Sequence, residues 1–354
     1  MKNVYDIAVI GLGPAGSMFC SCIDKRFSVI AIDKKSASQY SFKKPCGGLL
    51  APDAQKILSH MELNLPKDVL VDPQIFSVRT ICLDSRITKH YRRMYINVDR
   101  HKFDMWMIEN IPSHVVKKQD STVTNITYDS KLYSITYISN GEEHTVKARM
   151  VVGADGAKSA VRHRIYPKLK LRTYMAIQQW FDENNPKPFY SCVFDSENTD
   201  CCSWSISKDG KFIFGGAYPV EESRKRFESQ KQKLKDYGFV FSEPQKTEAC
   251  LVLRPESPSD IVAGKNNAFL IGEAAGLISP SSLEGMSYAM QSAYYLAKSL
   301  NLSEKEAIKI YSKKLFSLRV KIFAKLVKCP FMYNRHLRYA VMKSGLQSIK
   351  LYTK

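Results

Sequence analysis

No run in the sequence approaches the ~20 apolar residues of a membrane-spanning helix. Nine cysteines are present, but none form a C-x-x-C pair or an even framework. Reduced thiols in a cytoplasmic protein are therefore expected. Seven histidines show no metal-ligand spacing and no H-E-x-x-H, so no metal site is expected. Internal repeats and low-complexity segments are missing as well. Met1–Asn3 leads straight into an apolar run, which leaves no room for a cleavable signal. Acidic residues are scarce: 34 against 53 Lys and Arg, a net charge of +19. Nucleic acid, an anionic membrane surface or an acidic protein would each suit that balance. No nucleic-acid-binding motif accompanies the charge, so nucleic acid is not expected. The rest is ordinary globular composition, 44% hydrophobic and 25% charged over 354 residues. That length holds one large domain or two interleaved ones.

The chain is organised around Met1–Tyr40. Val4–Ile10 has the β-branched, apolar character of a buried strand. Gly11-Leu12-Gly13-Pro14-Ala15-Gly16 follows, then a helical stretch Ser17–Lys25, then a second strand Phe27–Ile32 ending at Asp33. This is a βαβ unit carrying G-x-G-x-x-G. Gly11 permits the tight turn, Gly13 admits a pyrophosphate, and Gly16 lets helix and strand lie close. Asp33 follows at the distance where a carboxylate accepts from an adenosine ribose 2′-OH. It would repel a 2′-phosphate, so an FAD- or NAD-type adenosine fits. The bland alternative is a glycine-rich turn in some other α/β protein.

After a loop at Lys34–Lys44 come Pro45-Cys46-Gly47-Gly48 and a helix from Ala51 to Leu58. Phe76–Leu83 and Tyr95–Val98 alternate as strands do, and Asp99–Asn110 has helical spacing. Val115–Tyr128, Tyr133–Ser139 and His144–Ala148 read as strands, with Asn140-Gly141 as a hairpin turn. Tyr174–Phe181, Tyr190–Phe194, Cys202–Ser207 and Lys211–Tyr218 suggest an antiparallel sheet, with a turn at Lys208-Asp209-Gly210. Glu221–Asp236 reads as a charged helix, Asn267–Ile271 as a buried strand and Leu283–Leu300 as a helix. The expected fold is α/β (α+β). A Rossmann-type unit (1–75, 99–165, 255–300) is interleaved with an antiparallel substrate domain (76–98, 166–254). A basic helical tail, 301–354, follows.

Two further strand ends resemble the first. Val151-Val152-Gly153-Ala154-Asp155-Gly156 delivers a carboxylate into a glycine turn, with Ser159 and Arg162 just beyond. Phe269-Leu270-Ile271-Gly272-Glu273-Ala274-Ala275-Gly276 does so again before Glu284-Gly285-Met286. A nicotinamide needs one such site. A flavin is longer, so three fit it better. Together the three signatures resemble the FAD-dependent oxidoreductases with the para-hydroxybenzoate hydroxylase fold. Lys44-Pro45-Cys46-Gly47-Gly48 and Val98-Asp99-Arg100-His101-Lys102-Phe103-Asp104 resemble the geranylgeranyl-reductase branch. Cys202-Ser203-Trp204-Ser205-Ile206 stands where that branch has an aromatic-x-Trp-x-Phe-Pro motif lining the substrate cavity. Two departures are visible. Glu273 replaces the usual Asp, and Cys202 and Ser207 replace the aromatic and the Pro.

Gly11, Gly13, Pro14, Ala15 and Gly16 are assigned to the pyrophosphate, and Asp33, followed by Lys34, to the adenosine end. What the resemblance implies completes the cofactor set. Lys44, Cys46, Gly47, Gly48 and Arg100 approach the flavin, and Val123 touches adenine through its backbone. Glu273 and Gly276 hold the ribityl end, Gly285 and Met286 lie beside the ring, and Asp155 and Gly272 complete the cofactor-binding set. Cys46 would then be the catalytic proton donor; its plain alternative is a small residue filling a gap. Arg100 could instead merely cap a helix. Lys43 and Lys44 face a substrate phosphate or water. Trp204 and Tyr218 line an apolar substrate cavity or are sheet core.

The activity implied is reduction of C=C bonds in an isoprenoid or other apolar lipid. Two alternatives remain: an FAD-dependent aromatic monooxygenase or halogenase, and a non-enzymatic flavin-bound membrane-surface factor. No second dinucleotide fingerprint is present, so NAD(P)H bound transiently or an acidic ferredoxin is the expected electron donor. Ser303–Lys354 holds thirteen Lys and Arg against two Glu. Ile308, Tyr311, Leu315, Leu318, Ile322, Phe323 and Leu326 recur there at helical spacing. That pattern suits a basic amphipathic helix at the inner face of an anionic membrane. It equally suits a helix whose apolar stripe packs on the protein body.

Overall fold

The computed structural model describes residues 4–38, 42–183 and 190–352. Part of the expected loop, Gln39–Ser41, lies outside the described residues. Among the described residues the helices are α1 (Pro14–Cys22), α2 (Pro52–His60), α3 (Arg100–Glu109), α4 (Ala160–Ile165), α5 (Ser223–Leu234), α6 (Met286–Leu302), α7 (Ala307–Tyr333) and α8 (Arg335–Ser344).

Two sheets organise these elements. In the first, Gly264–Lys265, Ala268–Leu270, Glu142–Gly153, Val4–Ile10, Val29–Ile32 and Val115–Lys118 lie side by side in that order. The four central pairings from Ala268–Leu270 to Val115–Lys118 are parallel. Strands buried on both faces read as continuous apolar runs, and Ile7, Ala8, Val9, Val29, Ile30, Ala31, Val151 and Val152 are fully buried. Ser121–Tyr128 and Tyr133–Ser139 form a meander that feeds the antiparallel first half of Glu142–Gly153.

The second sheet runs Lys246–Leu253, Thr173–Asp182, Lys211–Pro219, Ser203–Lys208, Tyr190–Phe194, Ile75–Cys82, Ile87–Asn97 and Ser348–Ile349. Leu49–Leu50 joins it beside Ile87–Asn97. All its pairings are antiparallel except Tyr190–Phe194 with Ile75–Cys82.

Several expected spans change. Val115–Tyr128 is two strands, because Asp120 at φ 49° turns the chain between them. His144–Ala148 and Met150–Gly153 are one strand, Glu142–Gly153. Tyr95–Val98 is only the end of Ile87–Asn97, whose Lys89, Arg92 and Arg93 hide the apolar alternation. Helix α1 begins at Pro14, three residues before the expected start, because proline suits the first helical turn.

The tail is not a separate appendage. Tyr311, Leu315, Leu318 and Ile322 of α7 are fully buried in the core that surrounds the first sheet. The Tyr311 hydroxyl donates to the Leu270 carbonyl at 2.7 Å. The stripe read from the sequence is therefore chiefly a packing surface. Phe323, counted in that stripe, instead points outward and is 56% exposed. All nine cysteines are free thiols. Among the described residues no cluster suits a metal ion, and no helix is long and apolar enough to cross a membrane.

Candidate functional site

The three strand tips meet. At Gly11, φ is +98°, and a Cβ there would lie 2.6 Å from the Ala154 carbonyl oxygen. At Gly16 a Cβ would lie 1.8 Å from the Gly11 oxygen and 3.3 Å from Ala154 Cβ. At Gly272 it would lie 3.0 Å from Ala15 Cβ, and at Gly156 3.8 Å from Glu273 Oε2. Glycines 11, 16 and 272 thus let three backbones crowd together at the carboxyl ends of adjacent parallel strands, where α/β sheets place their ligands. Gly13 is different: a Cβ there would make only an ordinary contact, with Lys35 Nζ at 3.6 Å. No side chain caps the N-terminus of α1, which leaves its N–H groups and dipole without a side-chain partner. An anion of pyrophosphate size suits such a cradle.

Asp33 closes the cradle from below. Its Oδ1 accepts from the Lys35 N–H at 2.6 Å and its Oδ2 from the Leu12 N–H. The carboxylate ties the glycine loop to the second strand, and each oxygen keeps a lone pair for a further donor. Lys34 turns away, its Nζ stacked 3.5 Å over the Phe42 ring. The buried cation is its neighbour Lys35, paired with Asp104 Oδ2 at 2.9 Å. Asp104 Oδ1 also takes Arg100 Nε at 2.9 Å. Burial pushes the Asp104 carboxyl up, but the two cations outweigh it and hold it below the ordinary range. Lys35 is not singled out by the sequence, and Asp104 stands there only as the last residue of the Val98–Asp104 motif; the i, i+4 spacing of Arg100 and Asp104 on α3 is the signal for their pairing. Val123 is half-buried at a bulge in Ser121–Tyr128, two residues from the Ser121 N–H that donates to the Asp33 carbonyl.

Beyond the cradle the Cys46-Gly47-Gly48 loop lies against the second sheet. Gly48 has φ +62°, and a Cβ would meet the Val98 carbonyl at 2.3 Å. Lys208 staples this loop. Its buried Nζ donates to the Val98 oxygen at 2.8 Å, to the Gly48 oxygen at 3.5 Å and to Asn97 Oδ1. Burial pushes Lys208 down to about 8. Cys46 Sγ accepts from the Gly48 N–H at 3.4 Å and faces the Arg100 guanidinium. The Trp204 ring stands beside Gly47, with Nε1 and Cδ1 3.7 Å from its Cβ direction. The buried Trp204 N–H has no partner among the described residues, which marks it as a donor awaiting an acceptor.

Tyr218 does not join Trp204. A Cβ on Gly215 would touch the Trp204 ring, whereas one on the next residue, Gly216, would touch Tyr218. Successive side chains point to opposite faces of a strand, so the two aromatics lie on opposite sides of the sheet. Tyr218 packs edge-on to Phe227 of α5 and donates to Gln230 Oε1 at 2.5 Å. Of the two readings, cavity wall or sheet core, Tyr218 takes the second: it is fully buried and on the face opposite Trp204.

The two acids at the other strand tips are engaged by the chain itself. Asp155 Oδ2 accepts from the Ala160 N–H at 2.7 Å, at the start of α4, and burial raises its carboxyl. Glu273 Oε2 pairs with Lys44 Nζ at 2.7 Å, and Oε1 accepts from the Leu253 N–H at 3.0 Å. Burial disfavours the Lys44 charge, but Glu273 overcomes this and raises its pKa. The extra methylene of Glu273 therefore reaches across to the second sheet. Gly276, at φ +81°, ends this turn against the Asp260 backbone. Gly285 precedes α6, whose first residue, Met286, is buried. Next to them Glu284 is raised by burial and accepts from the Ser287 N–H at 2.8 Å. In the sequence this buried acid stands only as the first residue of Glu284-Gly285-Met286.

Replacing Lys44 by Met should destabilise the protein by roughly 1–3 kcal/mol, since Glu273 would lose its cation and keep only the Leu253 N–H donor. Adding Glu273→Gln should recover part of that loss. Urea denaturation of the two single variants and the double variant measures the coupling, and strict additivity would contradict the pairing.

The two-sheet fold with its converging strand tips is shared with solved flavin-dependent proteins. A geranylgeranyl bacteriochlorophyll reductase-like protein from Thermoplasma acidophilum matches with a TM-score of 0.70 and 19% identity, over 98% of this chain and 89% of that one. The flavin-dependent halogenase CmlS matches at 0.68 and 17% identity, over 92% of this chain and 64% of that one. A lycopene cyclase family model matches residues 6–179. Protein CbrA of Escherichia coli O9:H4 (strain HS) is 48% identical over 346 residues, 98% of this chain and 94% of that protein. The chain belongs to the CbrA family.

Proposed function

We propose that the protein binds FAD and reduces C=C bonds of an isoprenoid or other apolar lipid. The observation supporting this is the Cys46-Gly47-Gly48 loop, held by Lys208 and Arg100 between the strand-tip groove and the Trp204 face. Three features support the cofactor: the uncrowded Gly13, whose Cβ would meet only Lys35 Nζ at 3.6 Å, the uncapped N–H groups on α1, and the unpartnered Trp204 donor. Gly11, Gly13, Pro14, Ala15 and Gly16 would hold the pyrophosphate, Asp33 the adenosine ribose, and Gly276, Gly285 and Met286 the flavin end. Bound and reduced, FAD supplies a hydride.

The chain's own part is orientation and a proton. Gly48 N–H and the Arg100 guanidinium address the Cys46 sulfur. Its S–H proton is then free to pass to a substrate carbon. Trp204 and Ile206, beside the loop, offer an apolar wall. NAD(P)H or a ferredoxin would supply the electrons.

The visible spectrum of the purified protein tests for flavin. Anaerobic incubation of the reduced protein with prenyl lipids, followed by mass analysis, should then show the gain of two hydrogens. Substrate-dependent oxygen uptake without such a gain would favour a monooxygenase or halogenase instead. Cys46→Ser should keep its flavin and lose about a hundredfold in turnover. An unchanged rate would remove Cys46 from the chemistry.

A further inference from the structure

We propose that the outer face of α7 docks the protein onto an anionic lipid bilayer. The helix has 27 residues and spans about 40 Å at 1.5 Å per residue. Its inner face is spent on the core through Tyr311, Leu315, Leu318 and Ile322. A second apolar stripe runs along the other side: Phe316, Val320, Phe323, Val327 and Phe331. Steps of four, three, four and four residues place them in one line. They are 66%, 49%, 56%, 53% and 50% exposed. Single exposed hydrophobics are ordinary, but a contiguous line of five marks an interaction surface. Beside Phe316, Val320 and Phe323 an open groove of about 500 Å³ is completed by Pro258, Ser259 and Arg319.

The charge selects the occupant. Lys313, Lys321 and Lys328 are exposed along one flank of the stripe. The segment from Ser303 onward carries thirteen cations and two acids, so eleven of the nineteen net positive charges sit here. A second copy of the chain would bring an equally basic face against this one, and like charges at an interface disfavour the pairing. A bilayer with anionic headgroups offers hydrocarbon for the stripe and phosphates for the lysines in one surface. No helix among the described residues is apolar enough to span a bilayer, so α7 would lie in the interface plane with Phe316, Phe323 and Phe331 downward. This surface uses neither flavin nor substrate. It therefore stands or falls separately from the proposed reaction.

The test is co-sedimentation of the full chain with vesicles of phosphatidylcholine alone or mixed with phosphatidylglycerol. Binding to the mixed vesicles should exceed binding to the neutral ones by about tenfold or more and weaken as salt rises. Phe316→Glu with Phe323→Glu should cost at least about tenfold in vesicle binding. Its thermal melt should stay unchanged, because both side chains are exposed. Lys313→Glu, Lys321→Glu and Lys328→Glu together should weaken binding and reduce its salt dependence. Three results would overturn the proposal: no vesicle binding by the unaltered protein, full binding by the double glutamate variant, or a concentration-dependent dimer that this variant abolishes while vesicle binding persists.

Discussion

If the protein binds FAD as proposed, Gly16→Ala should retain little flavin and should melt well below the unaltered chain. The added methyl would sit 1.8 Å from the Gly11 carbonyl oxygen and 2.9 Å from its carbon. Both are backbone atoms, so no side chain can rotate aside. Helix α1 would have to lift off the first strand. Overpacking at such a contact costs about 1–3 kcal/mol or more, and the displaced helix would carry its N–H groups away from the pyrophosphate position. Gly13→Ala separates the two effects. Its methyl meets only Lys35 Nζ, at 3.6 Å, so folding should be unaffected while flavin retention falls, because the backbone can no longer approach the phosphates as closely. Flavin content by absorbance, read beside a thermal melt, checks both variants. Full flavin in Gly13→Ala would place the cofactor elsewhere.

The second large effect should come from Arg338→Met. Arg338 is 3% exposed, the buried cation that fastens α8 to the second sheet. Its Nη2 pairs with Asp84, its Nη1 donates to the Met332 carbonyl at 2.8 Å, and its Nε reaches Cys82 Sγ at 3.2 Å. Its guanidinium lies 5.1 Å from the Phe194 ring centre. Asp84 lies at the surface and keeps its Ser196 hydrogen bonds, so the loss is that of the buried Arg338 contacts, about 1–3 kcal/mol.

The pH dependence should change too. Burial pushes the Asp84 carboxyl up, but hydrogen bonds from Ser196 and the Arg338 charge outweigh it and hold it below its ordinary value. A folded pKa below the unfolded one means that the unfolded chain takes up the proton first. The stabilisation is therefore present at neutral pH and is lost as pH falls below the ordinary carboxylate range, through the depressed value. In Arg338→Met that acid loss should shrink. Urea denaturation near neutral pH and again near pH 4 measures it, and equal acid slopes in the two proteins would refute the assignment.

Local chemistry was legible in the sequence where one segment suffices to decide it. The strand Val4–Ile10, the Asn140-Gly141 and Asp209-Gly210 turns with their positive φ angles, and the glycines at the first strand tip follow from steric rules within a few residues. Periodicity of the tail was likewise visible. It could not say which of two apolar stripes would be covered, since both satisfy the same helical spacing. Docking of Tyr311 against Leu270, forty-one residues away in the chain, settled that.

Pairings between distant segments followed the same division. Sequence placed Lys34 beside Asp33, while the fold turned it toward Phe42 and buried Lys35 against Asp104. Trp204 and Tyr218 looked alike in a strand-rich region, and only sheet register put them on opposite faces. Carboxylates at Asp155 and Glu273 were evident as strand-tip acids. Their directions depend on Ala160 in one case and on Lys44 and Leu253 in the other. By itself the sequence determined the kind of element at each place, because backbone sterics and side-chain period act over a few residues. Only the tertiary structure decided where each charge points, because a buried ion takes whichever partner packing brings within hydrogen-bonding reach.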